Sequence, residues 1–252
     1  MDRERLNREQ FKKHFSSKGL VVLPVIHVLD NEQTERNIAQ AVEAGCPGVF
    51  LINHDFAVEQ FLPIIRHARR QFPDYWIGVN FLAVTGLKAF PTLAQLGAED
   101  IRVDGYWADD ARIDEKRPSD DQPEAGQISN TLNDCGWSGL YFGGTAFKKQ
   151  REVDPADYGS SAAIATAYMD VVTTSGVATG HSADLNKMEV FRSACGDTPI
   201  ALASGITPEN VEQYLPYIDA TLVATGINLQ DDFYNIDPNR LSTLMQIVQS
   251  QS

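Results

Sequence analysis

The stretch 200–227, IALASGITPENVEQYLPYIDATLVATGI, constrains this chain most. Ile200–Ala203 and residues 221–224 are short apolar runs without polar alternation, the pattern of parallel strands buried on both faces. Each run ends in a small-residue turn, Ser204-Gly205 and Thr225-Gly226. Between them Thr207 is placed to cap a helix, Pro208 suits its first position, and Val211, Tyr214 and Leu215 supply one apolar face. Two consecutive strands that end in glycine turns can present backbone N–H groups to one anion. In a (β/α)8 barrel that is the phosphate position, built by the loops after the seventh and eighth strands. The reading therefore requires six more strand–helix units upstream.

Six such units are present. The expected strand and helix pairs are 20–28 with 31–44, 49–52 with 58–71, and 76–81 with 87–96, with Pro91 in the first turn of that helix. They continue as 100–104 with 126–134 after a long polar stretch, 140–142 with 155–168, and 171–174 with 183–194. A last helix over 238–248 completes the eighth unit. Residues 1–18 are charged, with Leu6, Phe11 and Phe15 as sparse apolar points. They predict a helix across the closed end of the barrel, with a loose tail as the alternative. Eight alternations place the chain in the α/β class, as a single (β/α)8 TIM barrel over 1–252 with an N-terminal helix.

The joints between units are of two kinds. Gly45, Gly97, Gly136 and Gly196 each close a helix, and the next strand restarts within a few residues. Such tight turns belong on the stability face of a barrel. Cys46, Cys135 and Cys195 sit at these joints and read as structural thiols. The strand-to-helix loops 105–125, 143–154, 175–182 and 226–237 are long and mostly charged, so function is expected on their face.

At 252 residues and 43% hydrophobic content, the chain can bury a sizeable core. Its net charge, 21 − 34 = −13, makes nucleic acid and anionic membranes poor partners. A phosphorylated ligand would have to be held by local amides or a few basic groups. The start, MDRERLNREQFKKHF, has no apolar signal-peptide core, and no stretch approaches a membrane span. With three cysteines, an odd number, the expectation is a cytoplasmic protein with reduced thiols and no membrane insertion.

Candidate chemistry lies at the strand ends. Ser204, Gly205, Thr225 and Gly226 are the phosphate-binding candidates; the alternative is that glycine merely makes the turns. His27, at the end of the first strand, is a base or metal ligand, or else a hydrogen-bonded structural histidine. His54 and Asp55 follow the second strand. His27, Asp55 and Asp104 have ligand chemistry without a fixed-spacing metal motif. Asn80 and Asp104 end the third and fourth expected strands, and Arg102 lies two residues before Asp104, on the same side. That pair reads as a tuned acid/base carboxylate with its cation, or as a structural ion pair. Lys148 is the candidate Schiff-base or proton-carrying lysine, although Lys148-Lys149 also suits a solvated loop. His181, after Thr179-Gly180, is a candidate contact to phosphate or substrate, or an exposed loop residue.

Several segments together resemble the BtpA/SgcQ-like family. They are Val25-Ile26-His27-Val28, Gly78-Val79-Asn80-Phe81-Leu82, Ile101-Arg102-Val103, the stretch 171–206, and Thr207-Pro208-Glu209-Asn210-Val211. That family is similar to ribulose-phosphate-binding TIM barrels. Its cyanobacterial members are associated with photosystem I biogenesis, and others sit beside sugar-metabolism genes. The resemblance implies the barrel and the phosphate site. The chain departs from it after the fifth strand, where Phe142-Gly143-Gly144-Thr145-Ala146-Phe147-Lys148-Lys149 stands in place of a Lys-His pair.

The expected function is binding of a phosphorylated sugar or nucleotide-like small molecule, with isomerase- or lyase-type chemistry by Asp104, Lys148 or His27. Asn80, Arg102 and His181 are expected to contact the substrate. The alternatives are a non-catalytic assembly or biogenesis factor and a metal-dependent hydrolase. No cofactor is expected, a divalent metal being the one alternative. The apolar residues Phe61, Leu62, Ile65 and Phe72 of one outer helix suggest a homo-oligomer.

Overall fold

Eight apolar runs form eight parallel strands in the computed structural model, which describes residues 5–148, 150–178 and 180–251. They are β1 (Val21–Val28), β2 (Gly48–Asn53), β3 (Trp76–Phe81), β4 (Gly105–Ala108), β5 (Leu140–Gly144), β6 (Val171–Ser175), β7 (Ile200–Ala203) and β8 (Ala220–Val223). Each strand pairs with the next, and β8 pairs with β1, closing the barrel. The helices are α1 (Arg8–His14), α2 (Asn31–Glu43), α3 (Val58–Gln71), α4 (Gly86–Ala98), α5 (Pro123–Asp134), α6 (Tyr158–Ala165), α7 (Leu185–Cys195) and α8 (Pro238–Ser250). This is the (β/α)8 architecture expected from the sequence.

Strand alternation sorts the apolar residues into two layers. Val22, Ile26 and Val28 of β1 face the helices in the outer core. Val21, Leu23 and Val25 face the barrel interior with Phe50, Ile52, Trp107, Leu140, Phe142, Val171, Ala201, Ala203, Ala220 and Leu222. The large rings come from β2, β4 and β5, and the alanines of β7 and β8 leave them room. Gly78 has the same purpose, since a Cβ built there would overlap the Phe50 ring. Helix α1 closes the N-terminal end of the barrel. Its Phe11 packs edge-on to Phe142 with ring centres 6.2 Å apart, and Phe15 meets Trp76 at 5.1 Å. The helix itself is shorter than the 1–18 expected, because Asn7 caps its start with a capping box and Phe15 its end.

The fourth strand lies further along the chain than its sequence pattern suggests. Residues 101–104 are not strand; β4 begins at Gly105. Ile101 and Val103 are buried on the approach to the barrel, which is why they mimic alternation. Asp104 is therefore at the N-terminal end of β4, the end opposite the functional loops. There its N–H donates to the Ile77 carbonyl, and its carboxylate accepts the Ile77 N–H at 2.8 Å. Asp170, before β6, makes the same pair of bonds with Tyr141. Asp219, before β8, makes it with Ile200. Three even-numbered strands thus start with the same aspartate clip.

Two of these clips carry an arginine from the helix before the partner strand. Arg69 of α3 pairs with Asp104 and donates to the Phe72, Pro73 and Tyr75 carbonyls. Arg192 of α7 pairs with Asp219 and donates to the Gly196 and Thr198 carbonyls. The arginine ties off the helix C-terminus, where carbonyls lack partners, and the aspartate ties it to the barrel. Arg102 also pairs with Asp104 but is largely exposed, at 55%. The Arg102–Asp104 pair is thus structural, and neither residue is near the strand C-termini.

Two smaller expectations also change. The segment after β7 is not an α-helix: Thr207 and Asn210 form a turn, followed by one turn of 3₁₀ helix at Val211–Tyr214. Pro91 lies beyond the first turn of α4, which starts at Gly86. In α3, Phe61 and Ile65 are buried in the barrel's own core, while Leu62 and Phe72, the latter at the helix's C-cap, are only partly buried against it. Cys46 and Cys195 are buried free thiols, both pushed up to about 12 by burial. No helix among the described residues is long and apolar enough to cross a membrane.

Candidate functional site

The C-terminal ends of the strands define a small pocket of about 70 Å³ at the barrel mouth. The ladders set its levels: His27 of β1 stands beside Ile52 of β2, and Ile52 beside Asn80 of β3. Trp107 comes from β4, and Asp109 follows it by two residues, so both face inward. Lys148 arrives from the loop after β5, Ser204 from the end of β7, and Thr225 from the end of β8. Asn80 Nδ2 donates to Asp109 Oδ1 at 3.1 Å.

His27 is only 6% exposed, and its ring lies 3.8 Å from that of Phe233 at 30°. His54 flanks both rings at 5.2 Å. Burial first, then the neighbouring His54, pushes the His27 pKa down to about 3, with Lys148 adding to the shift. His27 is therefore neutral across the physiological range and too weak a base for proton abstraction. Its Nδ1 is buried with no hydrogen-bond partner among the described residues, as are Asn80 Oδ1, Trp107 Nε1 and Ser204 Oγ. Buried polar atoms without partners are uncommon, and four around one mouth mark a place for a polar ligand or water.

Phe233 is held by an anchored loop. Asn228 and Ile236 form an antiparallel bridge at the loop's base, and Asn228 Nδ2 donates to the Phe233 carbonyl. The buried Gln33 and Asn37 of α2 both donate to the Tyr234 carbonyl, at 2.7 and 2.8 Å. The Tyr234 hydroxyl donates to Asp55 Oδ2. Phe233 is thus a fixed wall against His27.

Beyond Phe233 the mouth opens into a groove bordered by Gly205, Thr225, Gly226 and Arg240. Thr225 and Phe233 line both spaces, which makes them continuous. Gly205 has φ +76°, and a Cβ built there would overlap the His181 carbonyl. A Cβ on Gly226 would overlap the Ile206 carbonyl. The glycines therefore let the loops after β6, β7 and β8 lie backbone against backbone. The Thr207 and Glu209 amides are held by Asn210 Oδ1 and Thr207 Oγ1. Those of Gly205, Ile206, Thr225 and Gly226 donate to no acceptor among the described residues. Arg240 lies beside them, its Nε donating to the Gly226 carbonyl at 2.9 Å and its Nη2 to Glu209 Oε2 at 3.1 Å, and Asp231, Asp232 and Asp237 line the same groove.

The structure brings together His27, Asn80, Lys148, Ser204, Gly205, Thr225 and Gly226 on one face. The His181 side chain is exposed, and only its backbone meets Gly205. Asp104 and Arg102 lie at the other end. Lys149 and Thr179 fall outside the described residues. His27, Asp55 and Asp104 do not assemble, and no cluster of three metal-ligating side chains occurs among the described residues. Sequence reading missed Asp109, Trp107 and Phe233. Placing the strand at Gly105-Tyr106-Trp107-Ala108 would have found the first two, whereas nothing local marks Phe233.

Neutral His27 makes stability pH-dependent. Between its folded value near 3 and the unfolded value of 6.5, the unfolded chain binds more protons, so stability falls as pH drops through that window. From pH 7 to 5 the wild type is expected to lose about 2 kcal/mol more than His27→Gln, measured by urea denaturation. Equal losses in the two proteins would show that His27 titrates normally.

Among solved structures, the chain resembles the tryptophan synthase alpha subunit of Legionella pneumophila str. Paris, with TM-score 0.65 and 16% identity over 97% of this chain and 99% of that one. Phosphoribosyl anthranilate isomerase from Thermus thermophilus matches with TM-score 0.58 and 13% identity over 92% and 100%. A native KDPGal structure matches with TM-score 0.60 and 12% identity over 92% and 95%. At these identities the likeness is one of fold. No functionally curated protein matches the chain in sequence. Residues 152–250, which build α6 through α8 and carry both glycine turns, match the BtpA family.

Proposed function

We propose that this barrel binds a phosphorylated small molecule, a sugar phosphate or nucleotide-like compound, and carries out proton-transfer chemistry on it. The observation that carries the reading is the set of four acceptor-free amides at Gly205, Ile206, Thr225 and Gly226, on the turns that end β7 and β8. Backbone N–H groups on paired turns suit an anion, and a chain of net charge −13 needs such a local device. Arg240 lies beside these amides, paired with Glu209. The name of the phosphoribosyl anthranilate isomerase neighbour, a barrel acting on a phosphorylated ribosyl compound, supports the same reading. From the phosphate the ligand body runs along Thr225 and Phe233 into the mouth.

At the mouth, Lys148 and Asp109 are the acid/base candidates. Asp109 takes the place that the sequence reading gave to Asp104. Asn80 donates to Asp109 and so orients it for the part of a base. Lys148 supplies a proton or a positive charge to an oxygen of the ligand. His27 acts as a neutral hydrogen-bonding group. Isomerisation and C–C or C–N cleavage both fit this set, and no step in it requires a cofactor or a metal.

A thermal-shift series tests the reading. Inorganic phosphate and ribose 5-phosphate are expected to raise Tm; at a hundred times Kd the stabilisation is about 2.7 kcal/mol. For a chain of this length that is roughly 5–10 °C. No shift with any phosphorylated compound at millimolar concentration would remove the phosphate site and favour the assembly-factor reading. A shift with a divalent metal alone would favour the hydrolase.

A further inference from the structure

Lys187 is a buried cation outside the site described above. It lies in the first turn of α7 and is 8% exposed. A positive charge there opposes the helix dipole. No carboxylate among the described residues pairs with it, although Glu152 and Asp184 line the same pocket together with Arg151 and Lys148. Arg151 is itself bound bidentately by Glu115. Burial pushes the Lys187 pKa down to about 8. A methionine would fill this space without the cost of burying a charge.

A methionine, however, has no donor for the bonds that Lys187 makes. Its Nζ donates to the Ala146 carbonyl at 2.7 Å and to the Ser175 carbonyl at 2.8 Å. The rings of Tyr158 and Phe191 lie 4.9 and 5.5 Å from it. Ala146 precedes Lys148 by two residues and has φ +45°, a conformation that alanine does not hold unaided. Ser175 ends β6, and its Oγ accepts the Lys148 N–H at 2.9 Å. Four bonds thus tie this turn to the end of β6 and to α7: Lys187 Nζ to the Ala146 and Ser175 carbonyls, Thr174 Oγ1 to the Ala146 carbonyl at 3.3 Å, and the Lys148 N–H to Ser175 Oγ.

We propose that Lys187 is the positioning residue that fixes the turn carrying Lys148 and so sets that amine at the barrel mouth. The importance of Lys148 rests on the function proposed above, but its placement is tested without any ligand. The experiment is trace acetylation of the intact protein with acetic anhydride from pH 6 to 11. The Lys148 amine attacks the anhydride carbonyl, a C–N bond forms, the C–O bond to acetate breaks, and a proton is released. Peptide mass spectrometry then gives the rate and apparent pKa at Lys148 alone. Hydrogen exchange reports protection of the Lys148 amide.

Lys187→Met is expected to lower Lys148 amide protection at least tenfold and to shift the Lys148 titration by half a pH unit or more. Ser175→Ala is expected to shift both in the same direction. Lys187→Arg, which can still donate to two carbonyls, is expected to stay near wild type. A lower Tm in Lys187→Met, with the Lys148 profile and amide protection unchanged, would overturn the proposal and leave Lys187 as a core residue. Should Lys187→Met fail to fold, Lys187→Gln, which loses one of the two carbonyl bonds, decides on the same two readouts: an unchanged Lys148 profile and amide protection would overturn the proposal. Phosphate titration of the variants is a separate measurement, so failure of the phosphate site is distinguishable from failure of the Lys187 clamp.

Discussion

Asp104→Ala is expected to lower the unfolding free energy by about 3–5 kcal/mol while leaving phosphate binding at the barrel mouth unchanged. The cost has two sources. Arg69 is 6% exposed and would keep a buried charge without its carboxylate. The Ile77 N–H would also lose its acceptor at the start of β3. Arg102 contributes little, because an exposed ion pair is worth less than about 1 kcal/mol. Asp219→Ala is the matching control, since Asp219 makes the same clip with Arg192 and Ile200. Chemical denaturation and a phosphate titration on both variants separate the outcomes. Loss of binding in Asp104→Ala without loss of stability would return that carboxylate to the active face.

Gly226→Val is expected to weaken phosphate binding by at least a hundredfold, roughly 2.7 kcal/mol. Its side chain would be driven into the Ile206 carbonyl, so the turns after β7 and β8 must separate. The four amides then no longer hold one geometry. Overpacking of this kind also costs about 1–3 kcal/mol of stability. Two further glycines distinguish conformation from packing. Gly205 and Gly136 have nearly equal φ values, +76° and +80°. Around Gly136 there is nothing within 4 Å, whereas at Gly205 the backbone of His181 and Ser182 closes in. Gly136→Ala should therefore cost only the positive-φ strain, about 1 kcal/mol, and leave binding intact. Gly205→Ala should cost more and reduce binding. Equal effects from both would mean that these glycines make turns and nothing else.

A wall of the pocket and a turn beside it are each held by side chains that lie outside it. Phe233 is pinned through Tyr234 to Gln33 and Asn37, both buried on α2. Lys148 is pinned through Ser175 and Ala146 to Lys187 on α7. In each case a polar side chain on a rigid helix fixes a loop at the mouth, the usual way for a barrel to make loops precise enough for function.

Local pattern alone determined the number of strands, most of their bounds and the face that carries the long loops and the paired glycine turns. Val22, Ile26 and Val28 alternate with Val21, Leu23 and Val25 because a strand's side chains alternate, and that periodicity is written in the residues themselves. The paired turns Ser204-Gly205 and Thr225-Gly226 were legible for a similar reason: glycine there answers a local need for close backbone approach. Where each strand begins, and so which of its ends carries a given carboxylate, was decided by barrel closure. Ile101 and Val103 are as buried as strand residues, yet the ladder from β3 engages only at Gly105. That displacement moved Asp104 to the stability face and brought Asp109 to the mouth. Phe233 could be placed only by tertiary structure, because its partner His27 is more than two hundred residues away in the chain and meets it only when β8 closes against β1. Periodicity encodes which side of a strand a residue takes. Its height in the barrel, and the residue it meets across the mouth, follow from the register of eight strands that must close on one another.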